Sequence, residues 1–552
     1  MSINFFDCHR AMLDRARQAI AERGYWSPFC ETPSARVYGE TAAANGKAAF
    51  EAHLNRVFEL DQAGTIGLLG NEISPYGPAL GIRYPKVDID QLIRGMNTAG
   101  LKWKKAGPQI WTGVALEIVK RLNERCFEMA HAVMHTTGQP FMMAFQAGGP
   151  HAQDRAVEAI AYAWEETRRV PAQALWAKPQ GKHDPLRMQK SYRITPRGIG
   201  LVIGCCTFPT WNSYPGLFAN LATGNTAIVK PHPHAILPLA ITVQIARTVI
   251  AEAGYDPNVV TLVAHEAGDD LAPELALRPE VKLIDFTGSA ANGNWLESNA
   301  TQAQVFTEKS GVNQIIIDST DDFKGMVNNI AVSLALYSGQ MCTTPQNIFI
   351  PRDGIESAEG HVSFDDVVAA IVKAVAKVTS DPAKAVELLG AIQNDAIINR
   401  MAAAREIGQV LLDSKALEHP QFPAAKVLTP LLVKAPDNKP VTEEFFGPIS
   451  FVIATADTAE SIALARKSVQ EQGALSLSAY TCRADVKEAL CEAAADACVA
   501  LSLNMTGSVL VNQSAAFSDY HGTGANPAAN AALTDSAFVS GRFRVAQTRE
   551  PA

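Results

Sequence analysis

Four short apolar runs decide the fold of this chain: Leu201-Val-Ile-Gly204, Ala227-Ile-Val-Lys230, Val259-Val-Thr-Leu-Val263 and Lys282-Leu-Ile-Asp-Phe286. Each run has the length and composition of a buried strand. Amphipathic segments with helical spacing, such as 236–253 and 270–277, separate them. This order of strand and helix predicts a parallel, doubly wound sheet, which is a common platform for nucleotides.

A second alternation of strands and helices follows and predicts another α/β lobe. We expect helices in 319–339 and from Phe364 and Lys384 onward, and strands at 313–318, 347–350, 449–453, 475–480 and 508–512. Two such lobes would enclose a cleft in which a ligand could bind.

The segments outside the two lobes predict helices and an extended arm. Apolar residues recur at helical spacing in 11–22 and 109–134, and we find no chemistry-bearing motif there. The turn-rich run 176–185 and the alternating run 188–193 predict an arm of a kind that often pairs between subunits. The expected domains are an N-terminal helical segment with the start of the cofactor-binding domain (1–175), the arm (176–196), a dinucleotide-binding domain (197–309), a catalytic domain (310–508) and a C-terminal segment with an oligomerisation strand (509–552).

Composition excludes several classes of partner. The 552 residues carry a net charge of −8, so no basic field is available for nucleic acid or an anionic membrane. The N-terminus lacks the order of a signal peptide, and no apolar run reaches the ~18 residues needed to span a bilayer. We therefore expect a cytoplasmic protein. Nine cysteines without CxxC pairs or Cys/His spacing argue for reduced thiols and predict no metal site.

Cys342 is the candidate nucleophile. It lies in Ser338-Gly-Gln-Met-Cys-Thr-Thr-Pro-Gln346, where a predicted helix ends, whereas the other cysteines lie in apolar or helical segments. Glu308 lies upstream, at the end of a strand-like segment. A thiolate that forms an acyl-enzyme needs a second group to activate water, and a carboxylate is the usual choice. The pair indicates oxidation through a thioester.

Five motifs, in this order, resemble the signatures of the aldehyde dehydrogenase superfamily: Gly224-Asn-Thr-Ala-Ile-Val-Lys-Pro231, Phe286-Thr-Gly-Ser-Ala-Ala-Asn-Gly293, Glu308-Lys-Ser-Gly311, Gly339-Gln-Met-Cys342 and Glu444-Phe-Phe-Gly-Pro448. The resemblance covers roughly 195–515. Three further phrases resemble a narrower branch, the PaaN aldehyde dehydrogenases of phenylacetic acid degradation: Tyr25-Trp-Ser-Pro-Phe29, Val37-Tyr-Gly-Glu-Thr-Ala42 and Phe517-Ser-Asp-Tyr-His-Gly-Thr-Gly-Ala-Asn-Pro-Ala528.

The resemblance implies a fold and a mechanism. The fold would be aldehyde dehydrogenase-like, with cofactor and catalytic α/β lobes and a small β oligomerisation arm. Cys342 would attack the aldehyde carbon, the thiohemiacetal would give hydride to the nicotinamide, and Glu308 would activate water to hydrolyse the thioester. What activates the thiol stays open between helix-end N–H groups and the cationic cofactor ring.

The oxyanion donor is where this chain departs from the family pattern. Counted back from Gly224-Asn225, the usual asparagine position holds Thr207, in Cys205-Cys-Thr-Phe-Pro209. A threonine hydroxyl has a single hydrogen to donate. Three possibilities remain: Thr207 is the donor, Asn212 reaches in from the next turn, or the Cys342 backbone N–H acts nearly alone, with Thr207 an ordinary strand residue.

The positions that match the family motifs also imply a site for a nicotinamide dinucleotide. Lys230 would meet the adenosine ribose, and Ser289, with Gly288 before it, would open a helix at the pyrophosphate. Glu444 and Phe446 would lie at the nicotinamide ribose and ring. NAD-preferring relatives commonly carry an acid three residues after the lysine, where this chain has Pro233, so we expect NADP to be preferred over NAD.

The expected activity is NAD(P)-dependent oxidation of an aldehyde to a carboxylic acid. The branch resemblance implies that the substrate is a semialdehyde of aerobic phenylacetic acid degradation, with or without a CoA handle. The family resemblance implies that the enzyme is a homodimer or homotetramer. Two alternatives stay open. One is a CoA-acylating aldehyde dehydrogenase, which the presence of Glu308 disfavours, and the other is a non-catalytic protein that retains the fold.

Overall fold

The computed structural model describes residues 4–269, 271–309 and 311–552. The predicted helix start at Asp270 and the serine of the 308–311 motif lie outside these residues.

The first lobe is built on a five-stranded parallel sheet. Its strands, in spatial order, are Val260–Leu262, Thr226–Lys230, Ile199–Ile203, Val281–Thr287 and Gln304–Glu308. Most side chains in these strands are buried, because helices cover both faces of a parallel sheet. The helices that follow the strands are Pro209–Ala222, Leu237–Glu252, Leu271–Ala276 and Ala290–Asn299. The predicted doubly wound sheet is confirmed.

The second lobe carries a seven-stranded sheet in the order Gln409–Leu412, Leu431–Lys434, Ile449–Thr455, Pro345–Pro351, Asn313–Ile317, Ser476–Tyr480 and Ala500–Leu503. Only the first of these strands runs antiparallel to its neighbour. The helices of this lobe are Phe323–Ala335, Phe364–Val378, Pro382–Leu389, Asp395–Arg405, Thr458–Gln472 and Ala484–Asp496. The predicted second α/β lobe is therefore present.

The prediction of a strand at 508–512 is wrong. The last strand of the sheet is Ala500–Leu503, and the chain then leaves the sheet. The carbonyls of Gly507 and Val509 accept hydrogen bonds from the Asn329 side chain, at 3.3 and 2.8 Å, instead of from a neighbouring strand. Val509 is 56% exposed, so its apolar side chain did not mark a buried strand.

The N-terminal part is helical, as its periodicity predicts. Its helices are Phe5–Glu22, Ala35–Tyr38, Ala42–Glu51, Ile89–Trp103, Pro108–Glu124, Cys126–Thr137, Phe141–Gly148 and Pro150–Arg168, with a β-pair of Thr65–Leu69 and Tyr84–Val87. The predicted helix at 109–134 is divided at Arg125. Helix Pro150–Arg168 packs along Pro209–Ala222 and joins this part to the first lobe.

Three antiparallel strands form an arm at 173–196 and 543–551. His183–Pro196 lies between Gln173–Gln180 and Phe543–Pro551, so the C-terminus completes the arm. Leu175 and Leu186 are 58% and 50% exposed on it. The remaining short elements are strands Ser319–Thr320, Ile355–Ser357, Gly360–Val362, Ala416–Leu417 and Val427–Leu428, helix Ser536–Ser540, and the 3₁₀ turns Pro257–Val259 and Leu336–Gly339. In the part of the chain that the structure describes, no helix has the length and apolarity to cross a bilayer.

Candidate active site

Two cavities meet at Cys342. One, of about 840 Å³, is lined by both α/β lobes and is called the lobe cavity below. The other, of about 450 Å³, is lined by N-terminal helices and by the segment 510–521, and is called the N-terminal cavity. Phe208, Asn212 and Cys342 line both cavities. A group bound in either cavity can therefore approach the same sulfur atom from its own side.

A left-handed turn presents Cys342 at this junction. Tyr337, Ser338 and Gly339 have φ of 50, 48 and 62°. A Cβ on Gly339 would lie 2.2 Å from the Gly447 carbonyl oxygen, so a side chain cannot fit at that position. The Asn313 side-chain amide, at the start of a central strand, donates to the Cys342 carbonyl at 2.8 Å. The turn and the sheet together fix the position of the thiol.

Glu308 ends the edge strand of the first lobe and is 4% exposed. Its Oε2 accepts a hydrogen bond from Asn212 Nδ2 at 3.1 Å. Its Oε1 lies 3.3 Å from His521 Nε2, within ion-pair range, and no residue that the structure describes gives this oxygen a well-formed hydrogen bond. The carboxylate is held through one oxygen and leaves the other facing the thiol and the imidazole.

His521 is the site residue that sequence reasoning missed. Its Nε2 lies 3.8 Å from Cys342 Sγ, within the range of a hydrogen bond to sulfur, and its ring packs edge-on against Trp211. The phrase 517–528, which resembles the PaaN branch, contains His521 and could have pointed to it. A single histidine in an irregular segment has no periodicity, however, from which its neighbours in the fold could be predicted.

A buried ion pair anchors the segment that carries His521. Arg155 and Glu158, one turn apart on helix Pro150–Arg168, contact each other at 2.8 Å with both side chains fully buried. Arg155 donates to the Ser514 hydroxyl and to the Asp519 carbonyl. Glu158 accepts from the Phe517 backbone N–H at 2.9 Å. The helix thus satisfies polar groups of an irregular segment more than 350 positions away in the chain.

The electrostatics of the junction favour a protonated thiol and an ionised carboxylate. Burial raises the pKa of the Cys342 thiol well above its usual value, and the negative charge of Glu308 raises it further. Burial would raise the pKa of Glu308 as well, but the neighbouring His521, Cys342 and Asn212 side chains outweigh it, so that pKa is lowered. The thiol therefore needs a proton acceptor before it can attack.

Thr207 and Asn212 both line the lobe cavity, but their contacts differ. The Thr207 hydroxyl faces Cys205 Sγ at 4.0 Å, and its carbonyl accepts from the Gln139 side chain at 2.7 Å. Asn212, in the first turn of helix Pro209–Ala222, reaches Glu308 at the cavity junction. The structure thus brings Asn212, and not the Thr207 hydroxyl, against the Cys342–Glu308 pair.

One end of the lobe cavity is lined by buried basic residues. Lys230 ends its strand, is only 4% exposed and contacts His265 Nε2 through Nζ at 2.6 Å, so it is not a solvated surface lysine. Burial lowers its pKa to about 8 and that of His232 to about 3. Pro233 and Asp269 also line this end. The site combines the buried ammonium of Lys230 with the carboxylate of Asp269.

The other expected cofactor residues line the same cavity. Ser289 caps helix Ala290–Asn299, accepting from the Asn292 N–H at 3.3 Å. A Cβ on Gly288 would lie 2.7 Å from the Phe286 ring, so this glycine is required by close packing rather than by a left-handed backbone. Glu444 and Phe446 line the cavity wall contributed by the second lobe. All the cofactor candidates therefore converge on one elongated cavity.

The N-terminal part, in which the sequence shows no chemistry-bearing motif, contributes to the lining of the N-terminal cavity. Its lining includes Tyr25, Trp26, Glu31, His151 and Asp154. Ser27 donates to Asp154 at 2.9 Å, while burial raises the pKa of that carboxyl well above its usual value. These residues form the wall opposite the two α/β lobes, and no regular spacing in the sequence marks them as a group.

The chain is similar to many known proteins, of which three are described here. A crystal structure described as an NAD-dependent aldehyde dehydrogenase from Burkholderia multivorans superposes with a TM-score of 0.98 at 63% identity, covering 100% of both chains. Aldehyde dehydrogenase LUC3 of a Fusarium species is 27% identical over 289 residues, 50% of this chain and 56% of that protein. N-succinylglutamate 5-semialdehyde dehydrogenase of Chromobacterium violaceum is 26% identical over 385 residues, 68% of this chain and 74% of that protein.

The chain therefore spans little more than half of one curated relative and about three quarters of the other. The model of the aldehyde dehydrogenase family matches residues 83–524, which include both lobes, Glu308, Cys342 and His521. Because this match covers well over half of the chain and agrees with the fold, the protein belongs to the aldehyde dehydrogenase family of oxidoreductases.

Proposed function

We propose that this protein oxidises an aldehyde to a carboxylic acid through a thiohemiacetal and a thioester on Cys342. One observation carries the proposal: Cys342 lies where the two cavities meet, with Glu308, Asn212 and His521 against it. The aldehyde enters from the N-terminal cavity and the dinucleotide from the lobe cavity.

In the first step the Cys342 thiol loses its proton to His521 Nε2, 3.8 Å away, and the sulfur attacks the carbonyl carbon. The carbonyl oxygen becomes an alkoxide that needs fixed donors. Asn212 Nδ2 carries two hydrogens, of which one is given to Glu308, so the second can be donated to the alkoxide. Asn212 is the oxyanion donor in this proposal, and Thr207 is not.

A nicotinamide dinucleotide in the lobe cavity supplies the hydride acceptor. Glu308 then takes a proton from water, the hydroxide attacks the thioester carbon, and the carbon–sulfur bond breaks to release the acid and the Cys342 thiolate. The free Oε1 of Glu308 faces the sulfur, where that water must stand. Hydrolysis rather than transfer to CoA is proposed because this carboxylate is present and ionised.

The cofactor end of the lobe cavity fits a dinucleotide. Lys230 is a buried ammonium that can pair with a ribose hydroxyl or a 2′-phosphate, and Pro233 places no carboxylate against such a phosphate. Asp269 and the NAD dependence of the Burkholderia relative favour NAD. We propose that the site accepts both dinucleotides, and we retain the preference for NADP as a prediction.

The proposed substrate is a semialdehyde, as the name of the Chromobacterium relative indicates for that protein. Phenylacetic acid degradation is proposed because phrases that resemble its dehydrogenases lie at the N-terminal cavity: Tyr25 and Trp26 line it, and Trp26 packs on Phe517 with ring centroids 5.0 Å apart. Among the residues that the structure describes, none that lines this cavity is a lysine or an arginine. A CoA handle would therefore lie beyond the mouth of the cavity.

A homodimer or homotetramer is proposed from the arm. Its strand Phe543–Pro551 is exposed at every position after Phe543, and Leu175 and Leu186 are exposed alongside. Sedimentation of the protein with and without residues 543–552 tests this assignment, since a monomer in both cases would contradict it.

Rapid mixing with an aldehyde and either dinucleotide tests the function. We expect a burst of reduced cofactor stoichiometric with enzyme, which is lost in Cys342→Ala. Glu308→Gln retains the burst but slows the following turnover. Added CoA that accelerates turnover would favour the acylating alternative, and a missing burst with every semialdehyde would favour the non-catalytic one.

A further inference from the structure

The junction of the two cavities holds a set of three donor atoms of different chemistry. Cys342 Sγ, His521 Nε2 and a carboxylate oxygen of Glu308 all lie within 4.8 Å of one another. Thiolate, imidazole and carboxylate are the three ligand types that zinc takes in proteins. The proposed reaction uses all three groups without a metal, and the same atoms also form a donor set that a metal ion can take.

The spacing of the atoms fits tetrahedral coordination. Zinc bonds of about 2.3 Å to sulfur and about 2.0–2.2 Å to nitrogen and oxygen, at a tetrahedral angle, place S and N about 3.5 Å apart and N and O about 3.4 Å apart. The corresponding distances are 3.8 Å from Cys342 Sγ to His521 Nε2 and 3.3 Å from that nitrogen to Glu308 Oε1. These two distances lie within a few tenths of an ångström of the tetrahedral values, and the sulfur lies within 4.8 Å of a carboxylate oxygen.

A buried oxygen without a partner points to a ligand at this place. Glu308 is 4% exposed, and its Oε1, 3.3 Å from His521 Nε2, accepts no well-formed hydrogen bond from any residue that the structure describes. A buried polar atom without a partner is costly unless something occupies its site. Asn212 meanwhile holds Oε2 at 3.1 Å, which is the kind of neighbouring contact that orients a metal-binding carboxylate.

The site is accessible and leaves a coordination position open. Cys342 and His521 line the N-terminal cavity, and Cys342 and Glu308 line the lobe cavity, so a hydrated ion can enter from either side. A water in one of the cavities can take the fourth position. The soft sulfur and the imidazole select zinc over magnesium or calcium, which prefer oxygen ligands.

We propose that the free enzyme binds one zinc ion between Cys342, His521 and Glu308, and that this ion reversibly blocks the nucleophile. Binding converts the thiol to a thiolate and releases its proton to solvent. The metal occupies the sulfur lone pair and the Glu308 oxygen together, so neither acylation nor hydrolysis can proceed. The inhibitory consequence rests on the proposed function, whereas binding is a property of the free protein.

Direct binding measurements test the proposal without any aldehyde. Chelator-treated protein is titrated with Zn²⁺ against a metallochromic competitor, and we expect one site per chain. His521→Gln and Cys342→Ala should each weaken that site by at least about tenfold, since each removes one of three ligands. Cys491→Ser is the matched control, because Cys491 is an exposed thiol on helix Ala484–Asp496 and is not among the described residues that line either cavity. The zinc affinity of this variant should equal that of the parent protein.

The absorption spectrum of bound Co²⁺ reports directly on thiolate coordination in the parent protein, where no substitution affects folding. Co²⁺ bound by the parent protein should show a thiolate-to-metal charge-transfer band and tetrahedral d–d bands, and Cys342→Ala should lose the charge-transfer band. A site whose affinity is unchanged in His521→Gln, or a band that disappears only in Cys491→Ser, would overturn the proposal. If His521→Gln does not fold, Glu308→Gln and the cobalt spectrum of the parent protein decide the question.

The burst assay separates this inference from the proposed function. Zinc should abolish the burst, and a chelator should restore it fully. If the protein gives no burst but binds zinc through the three ligands, the proposed function is contradicted and the metal site is supported. If saturating Zn²⁺ leaves the burst unchanged, the proposed inhibition by zinc is contradicted, whereas the proposed function is supported.

Discussion

The two cavities that meet at Cys342 are built in opposite ways. The first-lobe wall of the lobe cavity takes Lys230, Ser289 and Glu308 from strand ends and a helix start of consecutive βα units, within about 80 residues of chain. The N-terminal cavity combines Trp26, His151 and His521, which come from both ends of the chain. The first arrangement follows from local strand and helix order, whereas the second exists only when distant segments have packed. The difference predicts which substitutions disturb one cavity and spare the other.

The largest expected effect comes from Arg155→Met. The substitution leaves Glu158 buried without its partner and frees the segment that carries His521, so we expect a loss of about 3–5 kcal/mol in the free energy of unfolding. Urea unfolding measures this loss, and dinucleotide affinity, measured in buffer, should be nearly unchanged. Arg168→Met, on the same helix but in an exposed pair with Glu165, should cost less than about 1 kcal/mol. Equal losses in the two variants would contradict the anchoring role.

The second effect distinguishes the two oxyanion candidates. Asn212→Ala should lower the burst rate by about 10²–10³-fold, because one fixed donor to the alkoxide is lost. Thr207→Val should lower it by less than about tenfold, because that hydroxyl faces Cys205 rather than Glu308. Stopped-flow measurement of reduced cofactor gives both rates. The reverse ranking would restore Thr207 as the donor.

The third effect concerns the cofactor end of the lobe cavity. Lys230→Met should weaken NADP binding by about 1.5–3 kcal/mol, the range for a hydrogen bond to a charged group, and NAD binding by less. Fluorescence titration of both dinucleotides measures the difference. Equal losses of binding free energy for NADP and NAD would indicate that Lys230 contacts only the ribose that both dinucleotides share. That result would contradict the expected preference for NADP.

The smallest expected effect is a change in the pKa of the Cys342 thiol when the charge of Glu308 is removed. The Glu308 carboxylate disfavours the thiolate, so Glu308→Gln should lower the raised pKa of Cys342. Because the thiol is deprotonated only above that pKa, alkylation by iodoacetamide should rise with pH in both proteins, and at pH 8 it should be a few-fold faster in Glu308→Gln. Slower alkylation in the variant would instead make Glu308 the base that activates the thiol.

Sequence reasoning predicted the fold and the lobe cavity well because both depend on periodicity. Strands such as Thr226–Lys230 and Val281–Thr287 lie within a residue of their expected bounds. The strand expected at 508–512 failed because a short apolar run is ambiguous when side-chain hydrogen bonds, here from Asn329, replace a sheet partner. Counting along the chain puts Thr207 at the usual asparagine position and leaves Asn212 as an alternative, and only the helix geometry shows that Asn212 faces Glu308.

The sequence by itself determined the two α/β lobes, the family resemblance, and the pairing of Cys342 with Glu308, because alternation of apolar runs and short motifs are local properties of the chain. The tertiary structure alone decided that His521 lies beside that sulfur and that the N-terminal helices close the second cavity. The physical reason is the buried Arg155–Glu158 pair, whose charges must find partners and do so in the irregular segment 514–534. No spacing in the sequence records a contact across that distance.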